Sequence, residues 1–432
     1  MIRAKRYIFI IVALLVGVVM LVTTTASPPV ATQEVTDFGR NRWRTHYSPS
    51  EPEYPRANNA RPVWEVPLGL SRSQPLVIRR DFDGNGTEDT HVFHIAGDKL
   101  WALRGDMLPP ERRPAQSVED YRAQLQREGF IRWSTPAEAL CASPDLLARD
   151  ELLASKCRRV GQREEKRPFA SSQAAYVKGA RPSNDLIYVG FGHPAAVVAI
   201  RALDGKVMGG YIIDPDGDRG IVGAPLVFDG DTVVIGTTSG DAFIIRGMAS
   251  GVTSHRRYYI GGRISFSPVP LGEGGFLLAT DARSAPGLGT HGYMMAYSLP
   301  VGGAREFDPK WPAAVVTPAG IPGEAAVDGT SVYFADKFGK LYALRLDTGE
   351  MLWCRQYPDM GSCRSGGNPT PAFINSGPGI DENNVYFVFR NNKGPNVGAG
   401  HVVALDKRTG GLVWERTMEA KGNTAPVPVG YA

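Results

Sequence analysis

Leu341-Tyr342-Ala343-Leu344-Arg345-Leu346-Asp347-Thr348-Gly349-Glu350-Met351-Leu352-Trp353 decides the fold of this 432-residue chain. An apolar strand centred on Ala343 runs into Asp-Thr-Gly, and a second apolar strand ends on Trp353. Asp bonds its own following backbone and Gly accepts positive φ, so the triplet reads as a tight turn. The Trp can cover a neighbouring sheet, and Ala is small enough to let sheets approach closely. Residues 402–414 repeat the arrangement and end on Trp414.

Working outward, a core of two usually apolar residues, Ala and an apolar residue returns six times, at Ala102, Ala199, Ala242, Ala296, Ala343 and Ala404. The spacings are 97, 43, 54, 47 and 61 residues. A period near 45 built from short strands is the signature of propeller blades, and 97 is one blade plus an insertion. Composition agrees: 50 Gly and 33 Pro without a three-residue period imply many turns, hence an all-β chain. At 43% hydrophobic and 21% charged, the chain is neither disordered throughout nor a multi-span membrane protein.

The units at 341–353 and 402–414 resemble the repeat of PQQ-like (quinoprotein-type) β-propellers, and 198–207 resembles it more weakly, without the Trp. The resemblance covers most of 64–420 and implies a single propeller of four-stranded blades. Pro62-Val63-Trp64-Glu65-Val66-Pro67-Leu68 reads as a last strand and Thr424-Ala425-Pro426-Val427-Pro428-Val429 as a first strand. Together the chain ends would make a seventh blade; eight blades is the alternative. The propeller is expected over 62–432, interrupted by a helical insertion at 108–168, after a linker at 27–61. Within the insertion, Ser117, Thr135 and Ser143 open helix starts, the last two followed by Pro at the first helical position. Phe130-Ile131-Arg132-Trp133 inside it reads as the first blade's outer strand, and the insertion is the expected partner contact.

Residues 1–26 read as a signal peptide or membrane anchor. Arg3, Lys5 and Arg6 precede an uncharged apolar run within 7–22, and both fates put the body outside the cytoplasm, in a bacterial periplasm or envelope. The four cysteines fit an oxidising compartment, with Cys141 expected to pair with Cys157 and Cys354 with Cys363. No CxxC pair or His cluster supports zinc. Without the leader, 45 basic residues face 44 acidic ones, which gives no field for nucleic acid.

The sharpest chemical motif is Asp81-Phe82-Asp83-Gly84-Asn85-Gly86-Thr87-Glu88-Asp89. Oxygens from Asp81, Asp83, Asn85 and Asp89, a carbonyl at Thr87 and Gly at the sixth position reproduce the start of a calcium loop. Position 12 is Val92, so no helix–loop–helix hand follows. The loop also resembles that of calcium-binding propellers in type IV pilus tip-associated proteins. Asp214-Pro215-Asp216-Gly217-Asp218 is a weaker second run. His91 and His94, three apart in a strand, face opposite sides and cannot share a metal.

A quinone-using dehydrogenase would place its cofactor between a Trp and a disulfide of adjacent cysteines, with a calcium and a catalytic Asp beside it. This chain has no adjacent cysteines, and Asp347 and Asp406 belong to turns. The expectation is therefore a calcium-stabilised, non-catalytic protein-binding scaffold in a cell-envelope or pilus-type assembly, without PQQ. A quinoprotein dehydrogenase-like oxidoreductase is the alternative.

Overall fold

The computed structural model describes residues 66–68, 75–97, 99–161, 174–192, 195–215, 220–272, 274–285, 289–300, 307–363, 372–374, 377–391 and 400–418. These form six antiparallel sheets in chain order. The first is β1 (Leu76–Arg80), β2 (Asp89–Ala96), β3 (Lys99–Arg104) and β4 (Ile131–Pro136). The second is β5 (Ala174–Val177), β6 (Leu186–Gly192), β7 (Ala195–Arg201) and β8 (Val207–Asp214). The third is β9 (Leu226–Phe228), β10 (Thr232–Gly236), β11 (Asp241–Arg246) and β12 (Ser254–Tyr259).

The fourth runs β13 (Val269–Gly272), β14 (Gly275–Ala285) and β15 (Gly289–Ser298), with β16 (Asp308–Pro309) and β17 (Val315–Thr317) both on β15. The fifth runs β18 (Ala326–Asp328), β19 (Ser331–Ala335), β20 (Lys340–Arg345), β21 (Met351–Gln356) and β22 (Gly361–Ser362). In the sixth, β23 (Ala372–Phe373) and β24 (Gly379–Ile380) both pair β25 (Asn384–Asn391), followed by β26 (Gly400–Asp406) and β27 (Leu412–Met418). First strands of successive sheets touch, β1 with β5, β5 with β9 and β18 with β24. Sheets that converge on their first strands form a propeller.

All six repeat alanines lie on third strands and are buried. The register explains them. Ala102 faces Trp133, Ala343 faces Trp353 and Ala404 faces Trp414, each pair followed by a bulge. Cross-strand partners point to one face, so a small Ala leaves room for the indole opposite. Three of the tryptophans then bind the next sheet. Trp133 Nε1 donates to the Ala202 carbonyl, Trp311 to Leu346 and Trp353 to Lys407. The rings lie against Gly205, Gly349 and Gly410, all at positive φ, where an added Cβ would come within 2.6–2.7 Å.

Trp311 was not legible as a staple, because its strand is broken into β16 and β17. In the second sheet the register position is Gly209, opposite Ala199, and the Met248 carbonyl fills the space. Trp414 differs: it is 39% exposed and meets the Tyr386 ring at 5.8 Å.

The expected closing blade lies almost wholly outside the described residues. Of its segments only 66–68 is described; it is irregular, and Val66 and Leu68 pack against Trp101, Leu103 and Tyr121. The leader and the linker also lie outside, and among the described residues no helix is long and apolar enough to cross a membrane.

The insertion has β4 in its middle, as read from Phe130 to Trp133. Before it stands α1 (Val118–Arg127), whose cap Ser117 accepts from the Asp120 N–H at 3.0 Å. After it come a short 3-10 turn (Ala137–Leu140), α2 (Pro144–Arg149) and α3 (Glu151–Gly161). The Thr135 start is corrected in detail: Pro136 still belongs to the strand, and the turn begins at Ala137. Tyr121 and Leu125 of α1 pack over the first sheet, and Leu153 and Cys157 of α3 join the core between the first two sheets.

Candidate functional site

The acidic loop joins β1 to β2, a hairpin turn made wide by Gly84 and Gly86 at positive φ. Asp81 organises it. Its Oδ1 accepts from the N–H groups of Gly84 (2.7 Å) and Asn85 (3.1 Å), and its Oδ2 from that of Gly86 (2.9 Å). Asn85 Nδ2 donates to Asp83 Oδ2, and Asn85 Oδ1 accepts from the Thr87 N–H at 2.7 Å. Desolvation opposes the ionised form of Asp81, but the N–H groups of Gly86, Gly84 and Asn85 hold its carboxyl below the usual range.

Asp89 stands apart from this turn, in β2, with its carboxylate 3.4 Å from Arg104. The loop as it stands is therefore closed upon its own backbone. No group of three or more His, Cys, Asp or Glu is gathered closely enough to hold a metal ion among the described residues. The oxygens of Asp81, Asp83 and Asn85 are nonetheless on one turn, which is the donor chemistry a hard cation takes. The second acidic run lies mostly outside the described residues; its Asp214 ends β8.

Beneath the loop, Phe82 is buried against the His91 ring at 4.7 Å, with the Arg132 guanidinium 5.6 Å from the Phe82 ring. Burial, with Arg132 beside it, pushes His91 below the usual histidine range, and burial does the same to His94. The two are packed histidines on opposite faces of β2, as their spacing implies.

Four buried acids outside the loop are tied to the scaffold. Asp185 accepts from Arg80 Nε (2.8 Å), the Tyr176 hydroxyl (2.5 Å) and the Gly179 N–H (2.8 Å), binding the first sheet to the second. Asp241 pairs with Arg257 at 2.7 Å. Asp336 accepts from the Tyr342 hydroxyl and from the Phe338 and Lys340 N–H groups; burial nevertheless raises its carboxyl above the usual range. Glu324 meets Ser267 at 3.3 Å.

Cys141 is bonded to Cys157, and Cys354 to Cys363, each with Cα atoms 5.4 Å apart. The first ties the turn after β4 to α3, and the second joins β21 to the residue just after β22. Neither is a bond between adjacent cysteines and neither lies on a first strand. The tryptophans of the repeat, Trp133, Trp311 and Trp353, are taken up between sheets. Among the described residues these groups do not fit the sandwich of indole and adjacent-cysteine disulfide that holds a quinone.

No protein-family model matches the chain, and no curated protein matches it. Solved structures do. A quinohemoprotein alcohol dehydrogenase, ADHIIG from Pseudomonas putida HK5, superposes with a TM-score of 0.56 at 13% identity, over 90% of this chain and 67% of its own. A europium-containing methanol dehydrogenase gives 0.54 at 13% identity, over 92% and 80%. The quinohemoprotein alcohol dehydrogenase of Comamonas testosteroni gives 0.53 at 12% identity, over 91% and 68%. At such identities the likeness establishes the PQQ-like propeller fold and nothing of the activity.

Proposed function

We propose that this chain is an exported, non-catalytic propeller that binds a partner protein in the cell envelope, with calcium stabilising the 81–89 loop. The observation that carries the reading is the engagement of the buried acids: Asp185, Asp241 and Asp336 each brace a turn or join two sheets. A general base needs a carboxylate free to take a proton from substrate, whereas these three are engaged by scaffold donors. Export is supported by the charged and apolar leader and by the two disulfides, which persist in oxidising compartments.

Calcium would be held by Asp81, Asp83, Asn85, Thr87 and Asp89, the ion replacing backbone N–H groups as the partner of the first two carboxylates. Support comes from the order of oxygen donors and from the turn already made by Gly84 and Gly86. The pilus-type role is an analogy drawn from the 81–89 loop. The test of the binding reading is affinity purification of the tagged full chain from its native envelope after cross-linking. The reading expects one partner in near-stoichiometric amount; recovery of the chain alone contradicts it.

A further inference from the structure

We propose, resting on that protein-binding reading, that the outer edge of β21 is a docking strip for an extended segment of the partner, rich in acidic and apolar residues. On its inner side β21 pairs with β20 throughout. Among the described residues, its outer side is paired only at Arg355 and Gln356, with Ser362 and Gly361 of β22. Among the described residues the outer edge of Met351–Trp353 carries no strand. Such an edge offers main-chain N–H and C=O groups that an added extended chain continues, with side-chain pockets supplying selectivity.

The surroundings suit a peptide. Met351 is 51% and Leu352 48% exposed, and Val316 of β17 beside them 54%. Two hollows of about 770 and 790 Å³ flank the strand, and Leu352 belongs to both. The charge is one-sided. Arg355 and Arg408 line one hollow, with no carboxylate among its lining residues; its third cation, Lys340, is buried beside Asp336. Lys310 lines the other, where Arg345 and Asp347 are paired at 2.7 Å and cancel. In a chain otherwise near charge balance, this excess selects an acidic occupant.

The strip is also held ready. Trp353 is fixed to the sixth sheet through the Lys407 carbonyl, and the Cys354–Cys363 bond anchors the strand's far end. Little ordering is left to do on binding. In the first two sheets the molecule covers its outer strands itself, with α1 on β4 and α3 on β8. The fifth sheet has no such helix among the described residues.

The test is fluorescence anisotropy of the full chain with labelled nonapeptides that alternate glutamate or aspartate with valine or leucine, and with matched peptides carrying lysine for the acids. The acidic peptides should bind, weaken as salt rises, and lose at least tenfold in affinity to Leu352→Glu and to Arg408→Glu. Thermal melts of both variants check that these exposed substitutions leave the fold intact. Absence of binding, equal binding of the lysine peptides, or unchanged affinity in both variants overturns the proposal. Sedimentation of the chain alone supplies another arm: a dimer dispersed by Leu352→Glu assigns the strip to a second copy and overturns it too. Failure here leaves the binding reading standing, because cross-linked purification tests that separately.

Discussion

The indole of Trp353 lies on Gly410 of the next sheet so closely that a Cβ there would stand 2.7 Å from Trp353 Cδ2. The same ring donates from Nε1 to the Lys407 carbonyl at 2.8 Å. Positive φ at Gly410 therefore does two things: it turns the chain after Asp406 and it opens a seat for an aromatic ring from the sheet before.

Replacing that seat should show its worth. Gly410→Ala should cost about 2–3 kcal/mol, from the left-handed backbone and the displaced ring. Trp353→Ala should cost roughly 3–5 kcal/mol, as buried aromatic truncations do. Trp414→Ala should cost only about 1 kcal/mol, since its ring is partly exposed. Denaturant melts of the three variants check the order. A cost at Trp414 equal to that at Trp353 would mean that a further sheet sits upon it, as the expected closing blade would.

Much of this architecture was legible in the sequence, because the repeat writes both halves of each contact locally. Ala343 and Trp353 mark one sheet, and Asp406 to Gly410 mark the turn that receives it. What was not legible depended on non-local packing. Trp311 lacks the apolar residues that precede Trp353, so its role emerges only from its seat on Gly349. The helices of 108–168 announced themselves by caps such as Ser117, but that Tyr121 and Leu125 cover the first sheet does not follow from a cap. The calcium motif was read from donor order; the hydrogen bonds that close Asp81 on its own loop, and the pairing of Asp89 with Arg104, depend on backbone geometry.

Stability should fall on the acid side through His91 and His94. Both are held below the ordinary histidine value near 6.5, so the fold keeps them neutral while the unfolded chain takes up protons. Their contribution is complete above about pH 6.5 and is lost as pH falls through the lower folded values. Among the described residues His94 Nδ1 is buried without a hydrogen-bond partner, so His94→Phe removes a titrating group at small polar cost. Thermal melts from pH 7 to pH 5 should show a shallower decline in that variant than in the parent. Parallel declines would rule out His94 as a contributor.

Calcium should raise the melting temperature of the parent in proportion to the logarithm of its concentration, once above the dissociation constant. Asp81→Ala combined with Asp83→Ala should abolish that dependence while the metal-free protein still folds, because one hairpin turn does not carry six sheets. Calorimetric titrations that are the same for parent and double variant would remove calcium from the account of this loop.

The central claim, a quinoprotein-type propeller that performs no quinone chemistry, is tested most directly by reconstitution. The full chain is incubated with pyrroloquinoline quinone and calcium, desalted, and followed by absorption and by dye-linked oxidation of primary alcohols. The account predicts a spectrum of protein alone and rates no higher than the protein-free blank. Stoichiometric retention of the quinone chromophore together with alcohol-dependent dye reduction would contradict it.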